Sequence, residues 1–300
     1  MFQRTLKKAC SFEGKGLHTG KPVKMTINPA PASTGIRFVR TDVGEEAVVE
    51  ALATHVSNTA RSTTLTQNGV NVITVEHVLS ALTGMGIDNA LITLDNEEVP
   101  ILDGSAKLYC EAILAGGIQE QEAERQYIEL KEEVVFEDSV KGIKVVVSPT
   151  DEAPSYDITV DFGSQVVGVQ QAHWDEGVDY AAEIASCRTF VFFHEIEYLF
   201  KNNLIKGGDV NNAIVIIEHP ITQERLQPIC EGLSFPTPEK AEVGYLSPLR
   251  YENECARHKM LDLLGDLRLC GGFLKAKVSA VKTGHFVNTQ VAKMLIERNK

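Results

Sequence analysis

Arg257-His258-Lys259-Met260-Leu261-Asp262, continued by Leu263-Leu264-Gly265-Asp266, is the stretch from which the rest of the chain is read. His258, Asp262 and Asp266 recur every four residues, a spacing that stacks side chains on one face of a helix. Met260, Leu261, Leu264 and Leu267 form an apolar stripe on another face, so a packed helix is expected over 255–269. Zinc accepts both imidazole nitrogen and carboxylate oxygen, and a catalytic zinc takes three protein ligands with one position left for water. This helix offers two. The same spacing is also that of a polar helix face with a chance histidine, so a third ligand has to come from elsewhere.

Val70-Asn71-Val72-Ile73 reads as a strand running into Thr74-Val75-Glu76-His77-Val78-Leu79. Thr74 is expected as an N-cap, with Gly84 and Gly86 as stops, which places Glu76 and His77 in the first turn of a short helix. The stretch is not the two-histidine zinc-protease signature. It offers His77 as a third ligand, with a carboxylate beside it suited to act as general base on water. The competing reading is a Glu that favours the helix dipole and a His that caps or packs. Lys282-Thr283-Gly284-His285 follows an apolar strand, 276–281. Gly284 suits a turn, so His285 is expected at a strand end, where it could donate a proton with Asp266 as its carboxylate partner.

Strands alternate with helices on either side of these segments. Before residue 124, strands are followed by a helix at 75–82, a strand at 90–94 and a helix at 106–114. A polar join, 119–125, leads to a second half that repeats the theme: strands at 127–136, 143–147 and 156–162, helices at 180–186 and 255–269, a strand, and a helix from 288 onward. Two domains are therefore expected, 1–124 and 125–300. The stretch 218–252 contains five prolines and little periodicity, and reads as a long connection that is functional or inserted.

Composition narrows the classes of function. A net charge of −12 argues against generic nucleic-acid binding and against a broad surface for anionic membranes. Six cysteines without a CxxC pair read as reduced thiols, which suits the cytoplasm. The N-terminus lacks the apolar run of a signal peptide, and no segment is long and apolar enough to insert stably in a bilayer. Gly14-Lys15-Gly16 is not a P-loop, because no Lys-Ser or Lys-Thr follows at the required spacing.

These segments, together with Gly16-Leu17-His18-Thr19-Gly20, Asp103-Gly104-Ser105-Ala106 and Arg188-Thr189-Phe190, resemble the UDP-3-O-acyl-N-acetylglucosamine deacetylase (LpxC) family over essentially the whole chain. The resemblance implies an α+β fold: two domains of similar topology, each a sheet layered against helices, with the active site between them. It implies metal-dependent removal of the N-acetyl group from a UDP-linked, 3-O-acylated glucosamine, releasing acetate, in lipid A synthesis of Gram-negative bacteria. The metal is expected to be zinc, held by His77, His258 and Asp262. The donor set also suits Fe(II) or Co(II). Glu76 would be the general base and Thr189 would stabilise the oxyanion. His285, held by Asp266, would protonate the leaving amine, and Lys259 would support the polar substrate.

The residues around 191–217 would form an inserted strand-helix-strand passage for the acyl chain, lined by Phe190, Ile196, Leu204 and Ile205 and ending near Gly208. Glu195 departs from the Asp that many members carry. Asp161, Phe162 and Lys282 fall where the family contacts uridine diphosphate. The length of 218–252 resembles forms fused downstream to a hydroxyacyl-carrier-protein dehydratase, so a fused partner domain is an expectation. Two rival classes remain at this stage, a metal-binding sensor and a zinc amidase acting on a different nucleotide sugar or acylated amine. Glu76, Thr189 and His285 together weigh against the first, and the acyl passage against the second.

Overall fold

A run of alternating residues in the first half builds the first sheet. In Pro22–Pro29, Val23, Met25 and Ile27 are buried while the residues between them face outward. In the computed structural model, which describes residues 1–202, 206–209, 211–232, 237–238 and 241–299, this strand joins four others. The five strands are β1 (Cys10–Lys15), β2 (Pro22–Pro29), β3 (Ile36–Arg40), β4 (Val48–Glu50) and β5 (Ala90–Leu94), in the spatial order β1-β2-β5-β3-β4. The second sheet contains β6 (Val134–Asp138), β7 (Ile143–Pro149), β8 (Ser155–Asp161), β9 (Val169–Asp175) and β10 (Phe273–Val281), in the order β6-β7-β10-β8-β9.

The two sheets share one plan. In each, the last strand in sequence lies in the middle, antiparallel to the second strand and parallel to the third. In each, a helix precedes that middle strand and another follows it: α1 (Glu76–Gly84) and α2 (Lys107–Gly116) in the first half, α3 (Glu254–Leu267) and α4 (His285–Arg298) in the second. The fold is α+β, two layered domains of like topology.

Each half also carries an insertion just before its first helix. In the first half it is a three-stranded sheet of Val56–Asn58, Thr64–Gln67 and Val70–Ile73. In the second, Phe190–Phe192 leads into a helix, Phe193–Lys201, and then to Ile214–Ile217, which pairs parallel with the first strand and antiparallel with Gly244–Tyr245. Both insertions therefore end where a site-bearing helix begins.

Helices α1 and α3 meet at the centre of one continuous core that includes Leu79, Leu82, Met260, Leu261 and Leu264. Gly265 makes the close approach possible: a Cβ there would lie 2.0 Å from the carbonyl oxygen of Glu76. Tyr180 packs across Gly84 and its hydroxyl bonds to Ser80 at 2.6 Å.

Several expectations change. Helix α3 packs along its apolar stripe as expected, but its polar face is not left to solvent, because His258, Asp262 and Asp266 are as buried as its leucines. The expected polar join at 119–125 forms most of a strand, Ile118–Glu124, paired antiparallel with Phe2–Leu6. Its alternating Gln and Glu satisfied strand periodicity without apolar content. Thr74 does not cap α1. It sits at φ +61° and its hydroxyl donates to Glu98, while Val75 takes the N-cap position. The stretch 218–252 is not a bare connection. It holds the helix Gln223–Gly232, in which Leu226, Ile229 and Cys230 are buried and Pro228 lies inside.

Candidate metal centre and active site

His77 lies in the first turn of α1, and His258 and Asp262 lie one turn apart on α3. Among the described residues their ligand atoms converge to within 4.8 Å of one another. Asp262 Oδ1 is 3.4 Å from His258 Nε2 and 3.7 Å from His77 Nε2. Among the described residues this oxygen has no hydrogen-bond partner, although it is buried. Leaving a carboxylate oxygen unpaired in the interior is costly. Ligands of a tetrahedral zinc, each about 2.1 Å from the ion, stand roughly 3.4 Å apart, so a divalent cation fits this donor set.

The surroundings prepare the donors. His258 Nδ1 is 3.1 Å from the carbonyl oxygen of Cys187. A carbonyl only accepts, so Nδ1 carries the hydrogen and Nε2 presents its lone pair to the centre. Burial pushes His77 down to about 3 and also lowers His258, which keeps both rings neutral. Burial resists ionisation of Asp262, but the cationic Lys259 and His285 overcome it and hold the carboxyl well below its ordinary range. Lys259 Nζ donates to Asp262 Oδ2 at 2.8 Å, leaving Oδ1 for the centre.

Glu76 and His285 flank this group. Burial raises the Glu76 carboxyl to about 8. A cation held by the three ligands would draw it back toward the ionised form. One Glu76 oxygen, Oε2, accepts from the backbone N–H of Thr63 at 3.0 Å, and Oε1 lies 3.9 Å from His285 Nε2. His285 is not at a strand end. The strand stops at Val281, and His285 is the first residue of α4. Its Nδ1 donates to Asp266 Oδ2 at 2.9 Å. Burial disfavours the imidazolium, but the Asp266 and Asp262 carboxylates outweigh it and raise His285 to about 9.

A cavity of about 600 Å³ opens from this centre. Glu76, His77, Thr189, His258, Lys259, Asp262 and His285 line its polar end, and Phe193, Ile196, Leu199, Leu226 and Ile229 its apolar reach. Of the expected lining, Phe190, Ile196 and Gly208 are in the wall, and Phe162 stands at the edge with its ring 5.2 Å from that of Phe190. Leu204 and Ile205 lie outside the described residues. Asp161 and Lys282 are not part of the wall. They pair with each other at 2.8 Å.

Several wall and support residues had no signal in the sequence. Leu226 and Ile229 were hidden in the proline-rich stretch. Glu98 is buried, and it accepts from the backbone N–H groups of His18 and Thr19 and the hydroxyls of Thr19 and Thr74. Glu254, also buried, accepts from Arg188 Nε at 2.9 Å and from the Arg188 backbone N–H at 3.0 Å. This anchors the segment that presents Thr189 to the start of α3. Thr63 contacts both Glu76 and Asp266. Glu98, Glu254 and Thr63 all act through partners distant in sequence, which no local spacing encodes.

Comparison with known proteins agrees with this geometry. The family model described as LpxC, UDP-3-O-acyl N-acetylglycosamine deacetylase, matches residues 3–230 and 239–297. A protein of Bacteroides thetaiotaomicron named bifunctional enzyme LpxC/FabZ is 41% identical over 295 residues, covering 98% of this chain and 64% of the relative. Its namesake in Porphyromonas gingivalis is 40% identical with the same coverage. A protein of Teredinibacter turnerae named UDP-3-O-acyl-N-acetylglucosamine deacetylase is 38% identical, covering 99% of this chain and 90% of the relative. The chain thus spans slightly under two thirds of the two-activity relatives and most of the single-activity one. With its match to the family model over nearly its full length, the chain belongs to the LpxC family of UDP-3-O-acyl N-acetylglycosamine deacetylases.

Proposed function

We propose that this protein hydrolyses the N-acetyl group of a UDP-linked, 3-O-acylated N-acetylglucosamine, releasing acetate in a metal-dependent step of lipid A synthesis in the cytoplasm of a Gram-negative bacterium. The observation that carries this reading is the unpaired Asp262 Oδ1 between two neutral imidazoles, at the head of a cavity that turns apolar beyond them. The names borne by its relatives support the substrate.

His77, His258 and Asp262 would hold the ion, zinc by preference and Fe(II) with the same donors. When bound, such an ion polarises an amide carbonyl and acidifies water. Glu76 takes the proton from the attacking water at Oε1, because its other oxygen is committed to Thr63. The oxygen–carbon bond forms, the carbon–nitrogen bond breaks, and His285 delivers a proton from Nε2 so that nitrogen leaves as an amine. Asp266 keeps the ring oriented through Nδ1. Thr189 offers its hydroxyl to the developing oxyanion from the wall of the cavity. Lys259, already bonded to Asp262, adds positive charge beside the reacting carbonyl.

The acyl chain lies along Phe190 and Ile196 toward Gly208. The nucleotide reaches Phe162, and the Lys282–Asp161 pair opens to offer the ammonium to the diphosphate. We further propose that the chain is the deacetylase portion of a two-activity protein, on the strength of the relatives named LpxC/FabZ. A coding sequence that stops after Lys300 would overturn that second proposal.

The deciding experiment measures acetate release from UDP-3-O-acyl-N-acetylglucosamine after chelation and after one equivalent of Zn²⁺ is restored. Activity should vanish and return, and Glu76→Gln should keep its zinc while losing turnover. A folded, zinc-loaded protein that releases no acetate across a series of acyl lengths would reject the reading.

A further inference from the structure

We infer that Thr63 is a positioning residue that locks the base arm of the active site to its acid arm, an inference that rests on the deacetylase reading above. Thr63 is fully buried and contacts both arms at once. Its backbone N–H donates to Glu76 Oε2 at 3.0 Å, and its hydroxyl donates to Asp266 Oδ1 at 2.6 Å. Glu76 belongs to the first half of the chain, and Asp266 and His285 to the second. Thr63 is thus a two-bond bridge across the junction on which the two proton-handling groups face each other, with His285 Nε2 3.9 Å from Glu76 Oε1.

Each bond removes a freedom that would blur the reaction geometry. A carboxylate rotates about its terminal bond with little resistance. The N–H holds one Glu76 oxygen and leaves the other for the cavity. The hydroxyl holds Asp266 Oδ1, while Oδ2 receives both His285 Nδ1 and Asn288 Nδ2, each at 2.9 Å. With both oxygens engaged, the plane of Asp266 is set, and so is the direction in which the His285 ring points. The backbone that delivers Thr63 is unusual. Arg61, two residues earlier, has φ +71°, a left-handed conformation for a residue with a long side chain. On the other side, Val75 N–H reaches back to the Thr63 carbonyl at 3.3 Å, tying the bridge to the start of α1. Strain of this kind persists where surrounding contacts over-determine the backbone.

Thr63→Val keeps the shape and the backbone N–H but removes the hydroxyl, whereas Thr63→Ser keeps the hydroxyl and removes only a methyl. For the zinc-loaded enzyme, Thr63→Val should lower kcat by about 10²-fold, the scale expected of a small misplacement of reacting groups, with KM unchanged. Thr63→Ser should recover most of that loss. Proton NMR gives a second reading that needs no substrate. The ring N–H resonance of His285, identified by its disappearance in His285→Gln, should shift in Thr63→Val and stay near the wild-type position in Thr63→Ser. Unchanged kcat and an unchanged resonance in Thr63→Val would overturn the bridge. So would a folded Thr63→Ser variant whose kcat falls by about 10²-fold, a result that stands even if the valine variant does not fold. Wild-type protein that releases no acetate would reject the deacetylase reading instead, and the resonance would still decide whether Thr63 holds the arms together.

Discussion

His285 keeps a proton against two opposing influences. Burial penalises the charged ring, and its place at the first position of α4 sets it against the positive end of the helix dipole. The carboxylates of Asp266 and Asp262 outweigh both and raise it to about 9. A raised value means that the ring is protonated throughout the neutral range and loses its proton only as the pH climbs through about 9. If it is the proton donor, kcat/KM should fall on an alkaline limb whose apparent pKa lies above the ordinary imidazole value and no higher than about 9, because a bound cation opposes the two carboxylates. His285→Gln should abolish that limb and lower kcat by about 10²–10⁴-fold. A pH profile of the variant that keeps the same alkaline limb would assign it to another group. The sequence offered Asp266 only as a candidate partner for His285 and put His285 at a strand end, because Gly284 reads as a turn as readily as it reads as the residue before a helix.

At the scale of elements, the site depends on how closely α1 and α3 approach. Glycine inside an exposed helix costs about 1 kcal/mol relative to alanine, so replacing it usually stabilises. At Gly265 the sign should reverse. The added Cβ would fall 2.0 Å from Glu76 O and must push apart the helices that carry His77 and Asp262. Overpacking of this kind costs roughly 1–3 kcal/mol. Gly265→Ala should therefore lower the melting temperature by several degrees, and titration calorimetry should find weaker zinc binding than in the parent. A variant that melts higher and binds zinc as well would mean that the helices are not packed this tightly. The glycine in the sequence gave no hint of this role, since a helix interior and a helix crossing look alike until the partner helix is known.

For the whole molecule, the three candidate ligands come from two halves that share one core. An ion that binds the folded chain and not the unfolded one stabilises it by mass action, about 2.7 kcal/mol at a hundredfold excess over its dissociation constant. Zinc should accordingly raise the melting temperature in proportion to the logarithm of its concentration, and chelation should lower it while the core stays folded. Scanning calorimetry tests this directly. A melting temperature indifferent to zinc would argue that the ligands do not hold it. No described helix is long and apolar enough to cross a membrane.

Local spacing was enough to mark the four-residue rhythm of His258, Asp262 and Asp266, the Glu76-His77 pair and the recurrence of strands and helices in two halves. Helical and strand periods are properties of neighbouring residues, and they are written in order along the chain. The strand order within each sheet, the crossing at Gly265, the supporting carboxylates Glu98 and Glu254 and the Thr63 bridge were decided only by the tertiary structure. Each depends on groups far apart in sequence that meet when the two halves pack, and on the need of buried polar atoms to find partners there.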